Sequence, residues 1–188
     1  MDRVYFFIEN RGADLSLNTY ILIYDSFVQF EVTLAAYFMK TKGEVYTLSL
    51  EDKALISCEG FSVNPTVLVE NVDVSTIDLL IIPGGETDNL IGQEALLDLI
   101  RSLNRAGKVI AGICGGVSIL KAAGVLDGKV YVDNESGVSN VVVDGTIITA
   151  KPNGYVDFAL EIGRIMSIYK DEADLQETID FFKHFKSV

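Results

Sequence analysis

The sequence is poor in histidine, cysteine and basic residues. It contains one histidine, two cysteines and no tryptophan among 188 residues. Cys58 and Cys114 lie far apart without a C-x-x-C motif, so neither a disulfide nor a zinc site is expected, and no metal or other cofactor is predicted. Fifteen basic residues stand against 27 acidic ones, which gives a net charge of −12. This balance excludes a nucleic-acid partner and an anionic membrane as expected partners.

Long apolar runs are also missing. The apolar stretch at residues 4–8 is too short for a signal peptide or a membrane span, and Glu9 follows it. Together with the unpaired cysteines, this predicts a protein of the reducing cytoplasm. Hydrophobic residues make up 49% of the chain and charged residues 22%, a composition that is typical of a compact fold rather than a disordered chain.

Buried-strand patterns alternate with helical patterns, which predicts an α/β fold with a mainly parallel sheet. We predict strands at residues 20–24, 44–50, 78–82 and 109–113 and a closing hairpin at 140–149. Helices are predicted at residues 28–41, 93–104, 116–123, 155–169 and 171–185. The broken alternation at 54–69 predicts a small hairpin appended to the sheet. Residues 125–132 are predicted to form a short loop and a strand.

The alternation continues without linkers or repeats, so we expect one domain over residues 1–188. Its core is expected at 19–168, followed by the C-terminal helix at 171–185. Residues 1–18 form an extra N-terminal segment that the sequence leaves open as an additional strand, a subunit contact or an extension.

Cys114 lies between the predicted strand 109–113 and a helix that opens with two glycines. Residues 112–116, Gly-Ile-Cys-Gly-Gly, have the G-x-nucleophile-x-G form of a nucleophile elbow. Glycine at the flanking positions leaves room for a tight strand-to-helix turn. The helix N-terminus and unpaired backbone N–H groups there favour a thiolate. The alternative is a structural cysteine on a buried strand.

Glu31 falls inside the apolar stripe of the first predicted helix, between Phe27 and Leu34. The stripe consists of Phe27, Phe30, Leu34, Tyr37 and Phe38. A carboxylate on the core-facing side of a helix is unusual, because burying a charge without a partner costs free energy. Either the amides of the helix N-terminus satisfy it, or it faces the strand ends, where doubly wound sheets place active sites. A second signal is the glycine pair at residues 84–85 after strand 78–82. Such a pair lets backbone N–H groups approach a ligand closely, although a simple turn is the alternative.

Four blocks of sequence resemble the ThiJ/PfpI superfamily, whose members are cysteine-centred relatives of class I glutamine amidotransferases. The blocks are residues 24–32, 81–85, 111–116 with 122–128, and 142–150 with 158–160. The resemblance implies a flavodoxin-like three-layer sandwich with helices on both faces of the sheet, commonly as a homodimer. It also implies that Cys114 is the reactive nucleophile and that Glu31 lies beside its sulfur. The N–H groups of Gly85 and Gly115 would then form an oxyanion site.

The chain departs from that pattern where family members carry histidine. Protease-like members have histidine directly after the nucleophile, where this chain has Gly115. The single histidine, His184, falls in the last predicted helix. The segment 131–139, where relatives often supply a histidine, offers as polar candidates only Asp133, Asn134 and Glu135. A full Cys-His-Glu triad is therefore not expected.

Three functions remain open from the sequence. The first is a cysteine-dependent hydrolase or a glyoxalase/deglycase-like enzyme that acts on a small carbonyl or amide compound, with Glu31 shuttling the proton. The second is a non-enzymatic redox or stress sensor in which Cys114 oxidises to sulfinic acid. The third is a ligand-binding amidotransferase-like module in which Cys114 is inactive. The partner in each case is a small-molecule substrate or oxidant.

Overall fold

The computed structural model describes residues 16–132 and 139–187. Within these residues the strands are β1 (Leu17–Leu22), β2 (Gly43–Ser49), β3 (Leu55–Ile56), β4 (Ser62–Val63), β5 (Val67–Leu68), β6 (Leu79–Ile82), β7 (Val109–Ile113), β8 (Val141–Asp144) and β9 (Ile147–Ala150). The helices are α1 (Phe30–Lys40), α2 (Glu94–Arg105), α3 (Gly116–Ala122), α4 (Tyr155–Ile165) and α5 (Glu172–Phe182). None of these helices combines the length and the apolar character that a membrane span requires.

Seven strands form one sheet in the order β5-β2-β1-β6-β7-β9-β8. All neighbouring pairs are parallel except β8 and β9, which form the closing antiparallel hairpin. Helix α1 packs against α4, and α2 packs against α3. The predicted α/β sandwich with a mainly parallel sheet is therefore confirmed.

The centre of the sheet is apolar on both faces, as a parallel sheet covered by helices requires. All four residues of β6 have no exposed surface. Glycines in the left-handed conformation end two of the helices, with Gly107 after α2 at φ +68° and Gly124 after α3 at φ +73°. The Asp171 carboxylate caps α5 by accepting a hydrogen bond from the Asp174 N–H at 3.0 Å.

The parallel register sets the position of the functional residues. Strands β1, β6 and β7 are neighbours, and their carboxyl ends lie at the same edge of the sheet. The segments that follow them, residues 23–29, 83–93 and 114–115, therefore meet at that edge. This is the place where open parallel sheets bind ligands.

The structure corrects several predicted elements. Strands β3 and β4 form a separate two-stranded sheet, and β5 instead joins the main sheet beside β2, so residues 54–69 are not one hairpin appended to that sheet. Residues 125–132 form no strand. Helix α4 stops at Ile165 rather than continuing to 169, since Ser167 adopts a φ of +54° that an α-helix cannot contain.

Candidate active site

Cys114 occupies a strained turn between β7 and α3. Its φ is +55°, which is an uncommon conformation for a residue with a side chain. The Cys114 N–H donates to the carbonyl oxygen of Ala150 at 2.9 Å, so the turn is tied to the end of β9. A Cβ atom at Gly116 would overlap the carbonyl oxygen of Ile82. The glycine two residues after the cysteine is therefore required by close backbone packing, as the elbow pattern predicts.

Glu31 lies in the first turn of α1 and is 2% exposed. Its Oε2 accepts a hydrogen bond from the Gly84 N–H at 2.8 Å, and the carboxyl group lies beside the Cys114 thiol, since both groups face Gly84. Of the two possibilities left open by the sequence, the structure supports the second, because the amide that binds Glu31 belongs to the turn after β6 and not to the N-terminus of α1. The carboxyl group is satisfied by a backbone amide, and it also faces the strand ends.

Gly84 lies against both the carboxyl group of Glu31 and the thiol of Cys114. A Cβ atom there would lie 2.7 Å from the sulfur of Cys114 and 2.9 Å from Oε2 of Glu31. Contacts below about 3 Å for a carbon atom are repulsive. Only glycine at this position allows the sulfur, the carboxyl group and a backbone N–H to converge.

Burial raises the pKa of the Cys114 thiol to about 11, and the negative charge of Glu31 adds to this effect, while the Gly115 N–H opposes it. Burial likewise raises the pKa of Glu31, while hydrogen bonds from Gly84 and Cys114 oppose the rise. These directions contradict the expectation that the helix N-terminus favours a thiolate in the resting protein. Because the two acids lie side by side, they titrate as a coupled pair in which a charge on Glu31 raises the pKa of Cys114.

Tyr24, at the end of the same edge, is a neutral neighbour of this pair. Burial raises its pKa, and the charges of Glu31 and Cys114 raise it further. Its hydroxyl group donates to the carbonyl oxygen of Pro83 at 3.1 Å. Tyr24 therefore braces the turn that carries the glycine pair and adds no charge to the site.

Gly85 and Gly115, the predicted oxyanion donors, lie side by side. A Cβ atom at Gly115 would be 3.5 Å from the Gly85 nitrogen. Gly85 has a φ of +138°, and a Cβ atom there would overlap the carbonyl oxygen of Ser26, so no other residue fits. In the described part of the chain, no backbone carbonyl accepts a hydrogen bond from either N–H. The Gly115 N–H interacts with the Cys114 sulfur, and the role of the two N–H groups as an oxyanion site stays a prediction.

Sequence reasoning missed two residues that hold this edge together. The Ser26 Oγ accepts a hydrogen bond from the Glu86 N–H at 3.2 Å, and Ser26 has a φ of +72°. Glu59, from the turn between β3 and β4, accepts hydrogen bonds from the first N–H groups of α1. No local pattern marks either residue, because their partners lie 29 or more positions away in the chain.

Within the described residues, His184 and Cys58 have hydrogen-bond partners other than the Cys114 thiol. The His184 Nδ1 lies 3.0 Å from Oδ1 of Asp180, at the end of α5. The candidates at 133–135 lie outside the described residues. Cys58 is exposed, and its thiol donates to the carbonyl oxygen of Ser26 at 2.8 Å. No group of three or more potential metal ligands occurs in residues 16–132 and 139–187.

Known proteins resemble this chain in sequence and in fold. The deglycase TK1284 of Thermococcus kodakarensis is 30% identical over 148 residues, which cover 71% of this chain and 89% of the relative. Protein dj-1beta of Drosophila melanogaster is 28% identical over 165 residues, which cover 79% of this chain and 88% of the relative. The crystal structure of the DJ-1 superfamily protein Atu0886 from Agrobacterium tumefaciens superposes with a TM-score of 0.79 at 24% identity, covering 90% of this chain and all of that one.

The sequence matches the DJ-1/PfpI family over residues 18–164. That span contains the first helix with Glu31, the glycine turn and the Cys114 elbow. It also contains most of the seven-stranded sheet and ends within α4. The chain belongs to the DJ-1/PfpI family.

Proposed function

We propose that the protein is a cysteine-dependent enzyme that acts on small carbonyl compounds or on their adducts with amino and thiol groups. The observation that carries this proposal is the convergence of the Cys114 thiol and the buried Glu31 carboxyl group on Gly84, at the carboxyl ends of the central strands. Three relatives that are 30% or 31% identical to this chain, including TK1284, are named deglycases. Those names supply the substrate class, which the geometry alone does not specify.

The proposed first step is attack of the Cys114 sulfur on a carbonyl carbon. As the S–C bond forms, the thiol proton moves to the Glu31 carboxylate, and the carbonyl oxygen becomes an oxyanion. The N–H groups of Gly85 and Gly115 are the donors that would stabilise this oxyanion. Glu31 then carries the proton that the oxyanion or a leaving group takes up. A carboxyl group with a raised pKa suits this exchange, because its proton affinity lies closer to neutral pH.

The pKa directions favour this enzyme over a peroxide sensor. Peroxides oxidise thiolates, and selective sensors therefore carry thiols with a lowered pKa. Burial and the Glu31 charge raise the pKa of the Cys114 thiol to about 11. A thiol that is deprotonated only during attack fits a carbonyl substrate held beside Glu31 better than it fits a freely diffusing oxidant.

The experiment that tests the proposal is turnover of methylglyoxal by the purified protein. Lactate formation is followed with methylglyoxal alone and with methylglyoxal adducts of N-acetylcysteine and N-acetyllysine. Acyl-ester and amide substrates are tested in parallel. Multiple turnovers that depend on Cys114 are the expected result. Rates equal to those of a Cys114→Ser variant on every substrate would remove the proposal.

The Glu31→Gln variant should lose most of this activity. Glutamine keeps the size of the side chain and an acceptor for the Gly84 N–H, but it cannot take the thiol proton. Loss of a general base typically costs about 10² to 10⁴ in rate, so we expect a fall in kcat of that size with a smaller change in KM. Steady-state kinetics measure both. The control is Glu177→Gln on the exposed face of α5, which should match the wild type.

A loss smaller than about tenfold in Glu31→Gln would contradict a role in proton transfer. Circular dichroism of both variants checks that the fold is retained. Since burial disfavours the charged form of Glu31, the neutral glutamine should not lower the melting temperature.

A further inference from the structure

Glu59 connects the small β3–β4 sheet to the helix that carries Glu31. Its Oε1 accepts a hydrogen bond from the Phe30 N–H at 2.9 Å, and its Oε2 accepts one from the Gln29 N–H at 3.2 Å. The residue at the N-cap position of α1 is Gln29, whose side chain makes no capping hydrogen bond. The first N–H groups of a helix have no partner within the helix. A carboxylate from another segment of the chain therefore caps α1.

The small sheet is itself attached to the edge where the site lies. The Ser26 N–H donates to the carbonyl oxygen of Ile56 at 2.7 Å, and the Cys58 N–H donates to that of Phe27 at 2.9 Å. These bonds hold the turn of residues 57–60 against the segment between β1 and α1. Glu59 is thus presented to the helix by a fixed backbone, although its side chain is exposed.

Glu59 is ionised in this arrangement. Although burial raises its pKa, the N–H groups of Phe30 and Gln29 and the hydroxyl group of Ser57 outweigh that effect and lower it. A negative charge at a helix N-terminus is also the favourable sign for the helix dipole.

We propose that Glu59 is a positioning residue for the active site, which holds the first turn of α1 and keeps a negative charge beside the Glu31–Cys114 pair. Residues 29 and 30, which it binds, directly precede Glu31 in the same turn. The proposal rests on the proposed function for what the pair does, but the way in which the pair titrates can be measured without any substrate.

The groups that face Glu31 come from each neighbouring element. Cys114 follows β7, Tyr24 follows β1, and the Gly84 N–H follows β6. Of these groups, Cys114 is the one that titrates together with Glu31, because the raised pKa of Tyr24 keeps that residue neutral. The charge of Glu59 adds to the effect of burial in raising the pKa of Glu31. Removing that charge should therefore let the pair lose its first proton at lower pH.

The test is the pH dependence of Cys114 alkylation by iodoacetamide. All variants carry Cys58→Ser, so that one thiol reacts and the donor to the Ser26 carbonyl is kept. Glu59→Gln removes the charge and retains one acceptor oxygen. We expect the alkylation rate of this variant to rise at a pH lower by about half a unit or more, because removal of a nearby negative charge lowers the pKa of an acid. Glu59→Asp keeps the charge and should stay close to the parent profile.

Glu59→Ala removes both the charge and the cap, and it should show the same shift together with a lower melting temperature. Glu177→Gln, a neutralised carboxylate on α5, is the matched control and should leave the profile unchanged. An unshifted profile in both Glu59→Gln and Glu59→Ala would overturn the proposal. A shift in Glu59→Asp as large as that in Glu59→Gln would overturn the assignment to charge. A protein without carbonyl turnover but with the expected shifts would refute only the proposed function.

Discussion

Replacing Cys114 with serine is expected to lower kcat/KM for methylglyoxal by about 10³-fold or more, as removal of a catalytic nucleophile usually does. A hydroxyl group is a much weaker acid than a thiol and a weaker nucleophile, so Glu31 cannot withdraw its proton as the bond to carbon forms. Serine keeps the size of the side chain and the backbone N–H that donates to Ala150. The variant should therefore stay folded and lose only its catalytic activity.

Cys58→Ser is the matched control for this substitution, because it makes the same chemical change at the other cysteine. Cys58 is exposed, and a serine there can still donate to the Ser26 carbonyl oxygen. We expect kcat/KM of this variant to stay near that of the wild type and both variants to melt at the wild-type temperature. Equal losses in the two variants would show that the activity does not depend on Cys114 as nucleophile.

The Gly116→Ala variant is expected to unfold at a markedly lower urea concentration, with a loss of about 3 kcal/mol in the free energy of unfolding, the upper part of the usual range for overpacking. The added Cβ would overlap the carbonyl oxygen of Ile82 and lie 3.0 Å from that of Pro83. Both obstacles are backbone atoms at the end of β6, so no side chain can rotate away. Relief requires α3 to move from the central strands.

Gly92→Ala is the control for the general effect of adding a methyl group to a glycine. It lies in the loop before α2, and a Cβ atom there would meet nothing within 4 Å. Its unfolding midpoint should equal that of the wild type or exceed it slightly, because alanine restricts the unfolded chain. If Gly116→Ala unfolded at the same midpoint as Gly92→Ala, the close packing of the elbow against β6 would be disproved.

The elbow at Cys114 was predictable because its determinants are contiguous. An apolar strand, a cysteine and two following glycines specify a tight turn through the sterics of neighbouring residues, and the structure gives Cys114 a φ of +55° there. The order of strands and helices was predictable for the same reason. The predicted family resemblance is confirmed by the match over residues 18–164.

Helical periodicity was only partly informative for α1. The predicted apolar stripe contains both Glu31 and Phe30, but the structure buries the carboxyl group and leaves Phe30 49% exposed. The Phe30 ring instead packs edge-on against Tyr155 of α4 at 5.4 Å. Periodicity gives the face of a helix on which a residue lies. It does not give the place where the neighbouring elements stop covering that face.

The sequence by itself determined the α/β order, the turn at Cys114 and the glycines that the turn needs, because each depends on adjacent residues. It also indicated a parallel sheet, because strands that alternate with helices pair in parallel through those crossovers. Only the tertiary structure decided that Glu31 meets the thiol through the Gly84 turn, 53 positions away, and that Glu59 caps α1 from a separate small sheet. It also reversed the expected direction of the thiol pKa. Burial and a facing carboxyl group arise from strands brought side by side, and they outweigh the local pull of a helix N-terminus.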